Sequence, residues 1–138
     1  MANEEPMRIG KVEVGIVVKD LDAATEFYGD VLGLEYIGDL ALPGGTMKRF
    51  LHGDAVIKLL QFDEVPQLAN PPSGPLGGAT GLRYVTVQVD RVAESVERCL
   101  AAGRAVPIPT FEFHPGVPVA MVEDPEGNWV ELMQPMSD

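Results

Sequence analysis

Two strongly apolar stretches of the sequence each carry one charged residue at their centre. Residues 55–61 read AVIKLLQ around Lys58, and residues 128–134 read NWVELMQ around Glu131. A charged side chain inside an apolar β-run faces either solvent or a binding site. An ammonium group binds substrate anions and a carboxylate moves protons, so the pair predicts a site for acid–base chemistry on a small molecule.

The elements that position these residues occur twice along the chain. The first half predicts a strand at 11–18, a helix at 23–32 capped by Asp20 or Asp22 and ended by Gly33, and strands at 34–38, 47–51 and 55–62. The second half predicts a strand at 82–89, a helix from Asp90 to 102 ended by Gly103, strands at 105–108, 117–122 and 129–134, and a long turn at 111–116. This internal repeat predicts an α+β fold: one domain, 1–138, of two βαβββ modules at 9–62 and 81–135, joined by a proline- and glycine-rich linker at 63–80.

Strand alternation predicts which side chains share a face. The valine-rich positions of each half would lie under its helix, because a two-layer unit buries its apolar face that way. Alternation then places the candidate catalytic side chains, Glu13, Lys58, Tyr84 and Glu131, on the opposite, concave face. The predicted substrate-binding lining is mostly apolar and comprises Phe50, Leu60, Phe62, Gln88, Trp129 and Met133, with plain core as the alternative for Trp129. Such a lining suits a partly hydrophobic small molecule with a few polar anchors.

Three chemical interpretations of this face remain open. In the first, Lys58 stays charged between Glu131 and Glu13 and binds a carboxylate or stabilises an enolate; a glutamate moves the proton and Tyr84 donates a hydrogen bond. In the second, the same groups serve a protein that binds a small molecule or drug without turnover. In the third, Glu13 and Glu131 hold a divalent metal, for which oxygen ligands favour Mg²⁺ or Mn²⁺. The first interpretation expects no cofactor.

Composition limits the partners and the compartment. The formal net charge of −11 disfavours nucleic acid, which requires a basic surface. No apolar run approaches the roughly 20 residues that span a bilayer, so no membrane partner is expected. The polar N-terminus and the single cysteine, Cys99, predict a cytoplasmic protein without disulfides. Cys99 itself is expected to be buried on the inner side of the second helix, and His52 and His114 are expected in a turn and a loop.

Two stretches resemble the vicinal oxygen chelate superfamily of glyoxalases, extradiol dioxygenases and bleomycin resistance proteins. They are VGIVVKDLDAATEFYGDVLGLE (14–35) and EDPEGNWVELMQP (123–135), and the resemblance extends over about 9–135. It implies paired βαβββ modules that form a cup, within a homodimer that binds a small-molecule ligand. In metal-using members the first and last strands of each module supply ligands, and the matching positions here are Glu13, Lys58, Tyr84 and Glu131. The resemblance implies a small-molecule enzyme of this superfamily. Because Lys58 and Tyr84 stand where metal ligands are usual, we expect a metal-independent lyase or isomerase, with a non-catalytic drug-binding or resistance protein as the alternative and a metal-dependent glyoxalase- or dioxygenase-like enzyme, which rests on family precedent, as the second alternative.

Overall fold

The computed structural model describes residues 5–135, so the ends of the predicted domain lie outside the described residues. The strands are β1 (Val12–Val17), β2 (Glu35–Leu42), β3 (Gly45–His52), β4 (Ala55–Phe62), β5 (Val85–Gln88), β6 (Ile108–His114), β7 (Val117–Glu123) and β8 (Trp129–Met133). Helix α1 (Leu21–Thr25) continues as a π-helical segment (Glu26–Val31), and α2 is Val92–Ala101. Residues 63–80 contain no helix or strand.

The strands form two four-stranded sheets with the same topology. Sheet 1 has the order β1-β4-β3-β2 and sheet 2 the order β5-β8-β7-β6. In each sheet the first and last strands of a module are parallel neighbours, and the other pairs are antiparallel. The predicted α+β fold of two βαβββ modules is therefore confirmed.

The two modules hold the start of their helices in related ways. Asp20 caps α1, because its carboxylate accepts a hydrogen bond from the Ala23 amide at 3.0 Å. Gln61, at the end of the last strand of module 1, donates to the Lys19 carbonyl at 2.9 Å. In module 2 the last strand is followed by Gln134, whose side chain accepts a hydrogen bond from the Val92 amide at 3.3 Å.

A single hydrophobic core joins the modules. It contains aromatic side chains of the first helix, valines of α2, and the inward residues of both sheets, such as Ile57, Leu59, Val130 and Leu132. The π-helical segment and α2 contact each other, and an Arg98 guanidinium donates to the Asp30 carbonyl across this contact. The helices therefore lie against one face of each sheet. The opposite face, here called the open face, points away from the shared core.

A buried carboxylate also links the modules. Asp124, in the turn between β7 and β8, is only 2% exposed and accepts a 2.6 Å hydrogen bond from the Tyr28 hydroxyl of module 1. It also accepts from the amides of Glu126 and Asn128 and from the Asn128 side chain. Burial, followed by the nearby Asp124 charge, raises the pKa of Tyr28 well above its usual value. The motif EDPEGN thus has a structural role at the contact between the two halves.

Several predicted boundaries in the second half are wrong. Residues 105–107 are not in a strand; β6 instead occupies Ile108–His114, most of which was predicted to be a turn. That strand contains Pro109, and its pairing with β7 is irregular. Both features weaken the alternation of apolar and polar residues by which a strand is recognised in a sequence. Arg91, rather than Asp90, is the N-cap residue of α2 and makes no side-chain capping bond. The predicted glycine stops are confirmed, since Gly33 and Gly103 adopt φ of +84° and +77°.

None of the helices among residues 5–135 combines the length and the apolar character that crossing a bilayer requires.

Candidate functional site

Glu131 lies on the open face of sheet 2. Its strand β8 alternates between core and open-face residues, with Val130 and Leu132 fully buried and Glu131 half-buried between them. Thr86 is its partner on β5, and the threonine hydroxyl donates to Glu131 Oε1 at 2.9 Å. Met121 is its partner on β7. One carboxylate oxygen is therefore fixed by the protein, and Glu131 Oε2 has no hydrogen-bond partner among the described residues.

The other predicted residues of sheet 2 surround this carboxylate. Trp129 and Met133 share its face on the same strand, and Gln88 is the β5 partner of Met133. Tyr84 immediately precedes β5 and is 45% exposed. Sheet 2 thus brings together one carboxylate, one phenol and several apolar side chains.

Lys58 lies on the open face of sheet 1. The register places it beside Gly15 on β1 and opposite Arg49 on β3. Leu60 and Phe62 follow on the same face of β4, with Leu60 opposite Met47. The sequence interpretation did not include Arg49, although counting back from the Gly53–Asp54 turn gives the same pairing.

The predicted contact between Lys58 and Glu131 is not formed in the single chain. The ion pairs of residues 5–135 are Lys48–Asp39, Arg91–Asp90 and Arg91–Glu94. Glu13 is an exposed residue at the edge of sheet 1. Lys58 lies in sheet 1 and Glu131 in sheet 2, each on the face of its sheet that points away from the helices.

The prediction that Phe50 contacts the ligand is wrong. Phe50 is opposite Ile57 in the β3–β4 register, and both residues face the helices. The ring is 1% exposed, and Gly29 of the π-helical segment allows it to approach the helix backbone closely. Phe50 therefore belongs to the core.

The two histidines lie apart from each other and from the candidate catalytic residues. His52 Nε2 is 2.7 Å from the Gln88 carbonyl oxygen, so this side chain connects the end of β3 to the end of β5. His114 is exposed at the end of β6 and makes an edge contact with Phe113. Neither histidine is next to Glu131 or Lys58 in the strand register.

A cavity of about 870 Å³ lies between the edges of the two sheets. Strand β1, the segment preceding β5, and the turn after β7 form its walls, and residues 66–73 of the linker cover it. Of the predicted site residues, Tyr84 and Trp129 line this cavity. Its size and its mixed apolar and polar lining suit a drug-sized ligand.

Gly74→Ala is expected to disturb the cavity through Trp129. A Cβ on Gly74 would lie 2.5 Å from the indole ring, and Gly74 has a φ of +87°, which favours glycine. We therefore expect Gly74→Ala to shift the fluorescence maximum of the single tryptophan and to lower stability by about 1–3 kcal/mol. Gly78→Ala is the matched control, because it has similar φ but open space around its Cβ. Equal spectra for the two variants would contradict packing of the linker on Trp129.

The groups at the family's metal-binding positions do not fit a divalent ion. They comprise two carboxylates, a phenol and an ammonium, and a protonated lysine repels a cation instead of coordinating it. Within residues 5–135 of one chain, no three His, Cys, Asp or Glu side chains are grouped as metal ligands.

Cys99 belongs to the core, as predicted. It is fully buried on the inner side of α2, and burial raises the pKa of its thiol to about 11. A thiol that stays protonated at neutral pH is a poor nucleophile.

A family model matches residues 8–132, which is most of the chain, and its description is the glyoxalase/bleomycin resistance protein/dioxygenase superfamily. The chain belongs to this superfamily. No curated protein shows significant sequence similarity to it. The match agrees with the two βαβββ modules and with both resembling stretches.

Solved structures share the fold of this superfamily member. A glyoxalase family protein from Bacillus cereus has a TM-score of 0.80 at 22% identity and covers 99% of each chain. The trypanothione-dependent glyoxalase I of Leishmania major has a TM-score of 0.70 at 23% identity, covering 92% of this chain and 87% of that one. TnmS3, an antibiotic-binding protein from Streptomyces sp. CB03234, has a TM-score of 0.69 at 24% identity, covering 95% and 100%.

Proposed function

We propose that the protein is a homodimeric, metal-independent enzyme of the superfamily, which transfers a proton to or from a small oxygenated, partly hydrophobic substrate. The observation that carries this proposal is Glu131: a half-buried carboxylate on a largely apolar face, with one oxygen held by Thr86 and the other without a hydrogen-bond partner among the described residues. A carboxylate positioned in this way acts as a general base and then as a general acid. This is the chemistry of a lyase or isomerase.

The edges of the sheets support a dimer. Strands β1 and β5 are edge strands, and no described strand pairs with their free sides. Val12, at the start of β1, is 69% exposed, so part of an apolar edge is left uncovered. A second copy that places its β5 beside β1 would cover both edges and form one cup from sheet 1 of one copy and sheet 2 of the other.

In such a cup Lys58 and Glu131 would act on one ligand from two chains. Lys58 would bind a negative group of the substrate, and Glu131 Oε2 would reach the carbon or oxygen that exchanges its proton. Tyr84 would donate a hydrogen bond from the rim. The apolar side chains Leu60, Phe62 and Met133 would exclude water from the reacting atoms.

Proton exchange tests the proposal without a known substrate. The purified protein, treated with EDTA, is incubated in D₂O with small 2-oxo acids and aryl ketones, and deuterium incorporation next to the carbonyl is followed by NMR. Exchange that depends on wild-type protein and withstands EDTA supports metal-independent proton transfer. If exchange occurs only after Mg²⁺ or Mn²⁺ is added, the metal-dependent alternative is correct instead.

A second candidate, binding without turnover, is favoured by the cavity of about 870 Å³. Trp129 and Tyr84 line it, and the neighbouring structures include an antibiotic-binding protein. Trp129 is the single tryptophan, so its fluorescence reports occupancy directly. Saturable quenching by aromatic antibiotics that remain chemically unchanged, with no exchange for any ketone, would favour this second function.

A further inference from the structure

Four residues form a row across the open face of sheet 1, with a glycine at each end and a cation at each central position. The register places Gly15 beside Lys58, Lys58 opposite Arg49, and Arg49 opposite Gly38. We call these four residues the cation row. Like charges directly opposite each other on neighbouring strands are destabilising. A bound anion would therefore offset the repulsion between Lys58 and Arg49.

The described part of the chain supplies no anion for this row. Neither cation is within ion-pair distance of a carboxylate among residues 5–135. Arg49 Nη2 donates to the Ile37 carbonyl at 3.3 Å, whereas Arg49 Nε is shielded from water and has no hydrogen-bond partner there. A guanidinium carries five N–H donors, so most of its binding capacity is unused.

The two glycines keep the space beside the cations clear. A Cβ on Gly38 would lie 3.3 Å from Arg49 Nη2, and Gly38 has a φ of +118°, so a side chain there would displace the guanidinium. Gly15 leaves the side of Lys58 open, since a Cβ there would meet only Leu60, at 3.7 Å. With a glycine at each end, the cation row leaves the space beside Lys58 and Arg49 free of other side chains of the row, and we call this space the trough.

The rows on either side of the trough differ in charge. One neighbouring row is apolar and consists of Val17, Leu60, Met47 and Leu40. The other has carboxylates at both ends and consists of Glu13, Val56, Leu51 and Glu35. An anion with an apolar tail would direct that tail along Leu60 and Met47, away from the two glutamates.

We propose that the cation row binds the carboxylate of an organic acid whose hydrocarbon part lies on Leu60 and Met47. Arg49 and Lys58 together donate charge-assisted hydrogen bonds to the two carboxylate oxygens. The proposal rests on the proposed function in assigning the ligand to the open faces. It goes further by giving that ligand a chemical class and by adding Arg49 to its binding residues.

Binding of a matched pair of probes tests this proposal. The probes are 4-phenylbutanoate and its neutral amide, titrated by calorimetry and by NMR of the backbone amides, with inorganic phosphate as a third titrant. We expect the carboxylate to bind more tightly than the amide. Lys58→Met and Arg49→Met should each weaken carboxylate binding by about 10- to 100-fold, the loss typical of a charge-assisted hydrogen bond, and leave amide binding unchanged.

Two further variants distinguish binding at the cation row from the effect of removing any positive charge or of disturbing the fold. Lys48→Met removes the same charge from β3, but Lys48 faces the other side, paired with Asp39 at 3.0 Å, so carboxylate binding should persist. Gly15→Val retains both cations, has an unstrained backbone and fills the trough, so binding should fall about 10-fold or more with the fold intact.

The proposal is overturned if carboxylate and amide bind equally, if Lys48→Met matches Lys58→Met, or if phosphate binds more tightly than the carboxylate. Carboxylate binding without proton exchange upholds the cation row and rejects the proposed catalysis. Proton exchange by wild-type protein that is lost in Glu131→Gln but shows no preference for acids over neutral ketones upholds the catalysis and rejects the cation row.

Discussion

Asp124→Ala is expected to destabilise the fold by about 3 kcal/mol or more, which lowers the melting temperature by roughly 10 °C. The substitution removes a buried carboxylate that accepts four hydrogen bonds, and one of them comes from the Tyr28 hydroxyl of the other module. Loss of the acceptor leaves the buried Tyr28 donor unpaired. Thermal and urea unfolding measure the effect.

Glu97→Ala is the matched control, since it removes the same charge from an exposed position on α2 and should change stability by less than about 0.5 kcal/mol. Tyr28→Phe should lower the free energy of unfolding by an intermediate amount, about 1–3 kcal/mol. Asp124 still accepts its three hydrogen bonds within the turn in this variant. If Asp124→Ala proves no more harmful than Glu97→Ala, the turn does not hold the modules together.

The buried pair of Tyr28 and Asp124 predicts that the stability of the fold depends on pH in the alkaline range. Burial holds the pKa of Tyr28 well above the value of 10.0 that applies to an exposed tyrosine. The stabilisation from neutral Tyr28 is therefore complete below about pH 10 and is lost as pH rises above it, because the unfolded state releases the proton first. In urea unfolding from pH 8 to 11, the difference in unfolding free energy between the wild type and Tyr28→Phe should decrease as the pH rises. A constant difference would contradict the raised pKa.

Glu131→Gln should abolish most proton exchange, with a loss of about 100- to 10,000-fold. The amide keeps the shape and can still accept the Thr86 hydroxyl bond, but it cannot take up a proton at neutral pH. Ligand binding, followed by quenching of Trp129, should change little. The separation of binding from exchange identifies Glu131 as the proton-transfer group.

Two control variants test whether the loss of proton exchange is specific to Glu131. Glu123→Gln makes the same change on the open face of sheet 2, where Glu123 pairs with Trp129 in the register, and should leave exchange unaffected. Thr86→Val removes the hydroxyl that holds Glu131 and should reduce exchange by about 10-fold. Exchange that survives Glu131→Gln would assign proton transfer to another group.

The sequence predicted the fold well because its two halves repeat the same physical signals. Gly33 and Gly103 end the helices with positive φ, and Gln61 and Gln134 hold the helix starts from corresponding positions. The glycine stops are local signals, and the correspondence between Gln61 and Gln134 is visible when the two halves are aligned. The β6 strand was missed because its proline and irregular pairing remove the alternation that identifies a strand.

The site was predicted less completely because its geometry depends on contacts between modules. Alternation placed Lys58 and Glu131 on the faces opposite the helices, where the structure has them. Alternation does not tell how the two sheets pack against each other, and no ion pair joins Lys58 to Glu131 among residues 5–135. Phe50 pairs with the core residue Ile57 in the β3–β4 register, and the same register, which the Gly53–Asp54 turn fixes, pairs Arg49 with Lys58.

The most direct test of this account is complementation between two inactive variants. In a homodimer whose cup combines sheet 1 of one copy with sheet 2 of the other, a mixed dimer of Glu131→Gln and Lys58→Met chains contains one intact site and one doubly altered site. Co-expression with two different affinity tags isolates the mixed dimer. We expect its proton exchange to be about half that of the wild type, by the count of intact sites in a symmetric dimer. Activity no higher than the average of the two parent variants would contradict a site shared between chains.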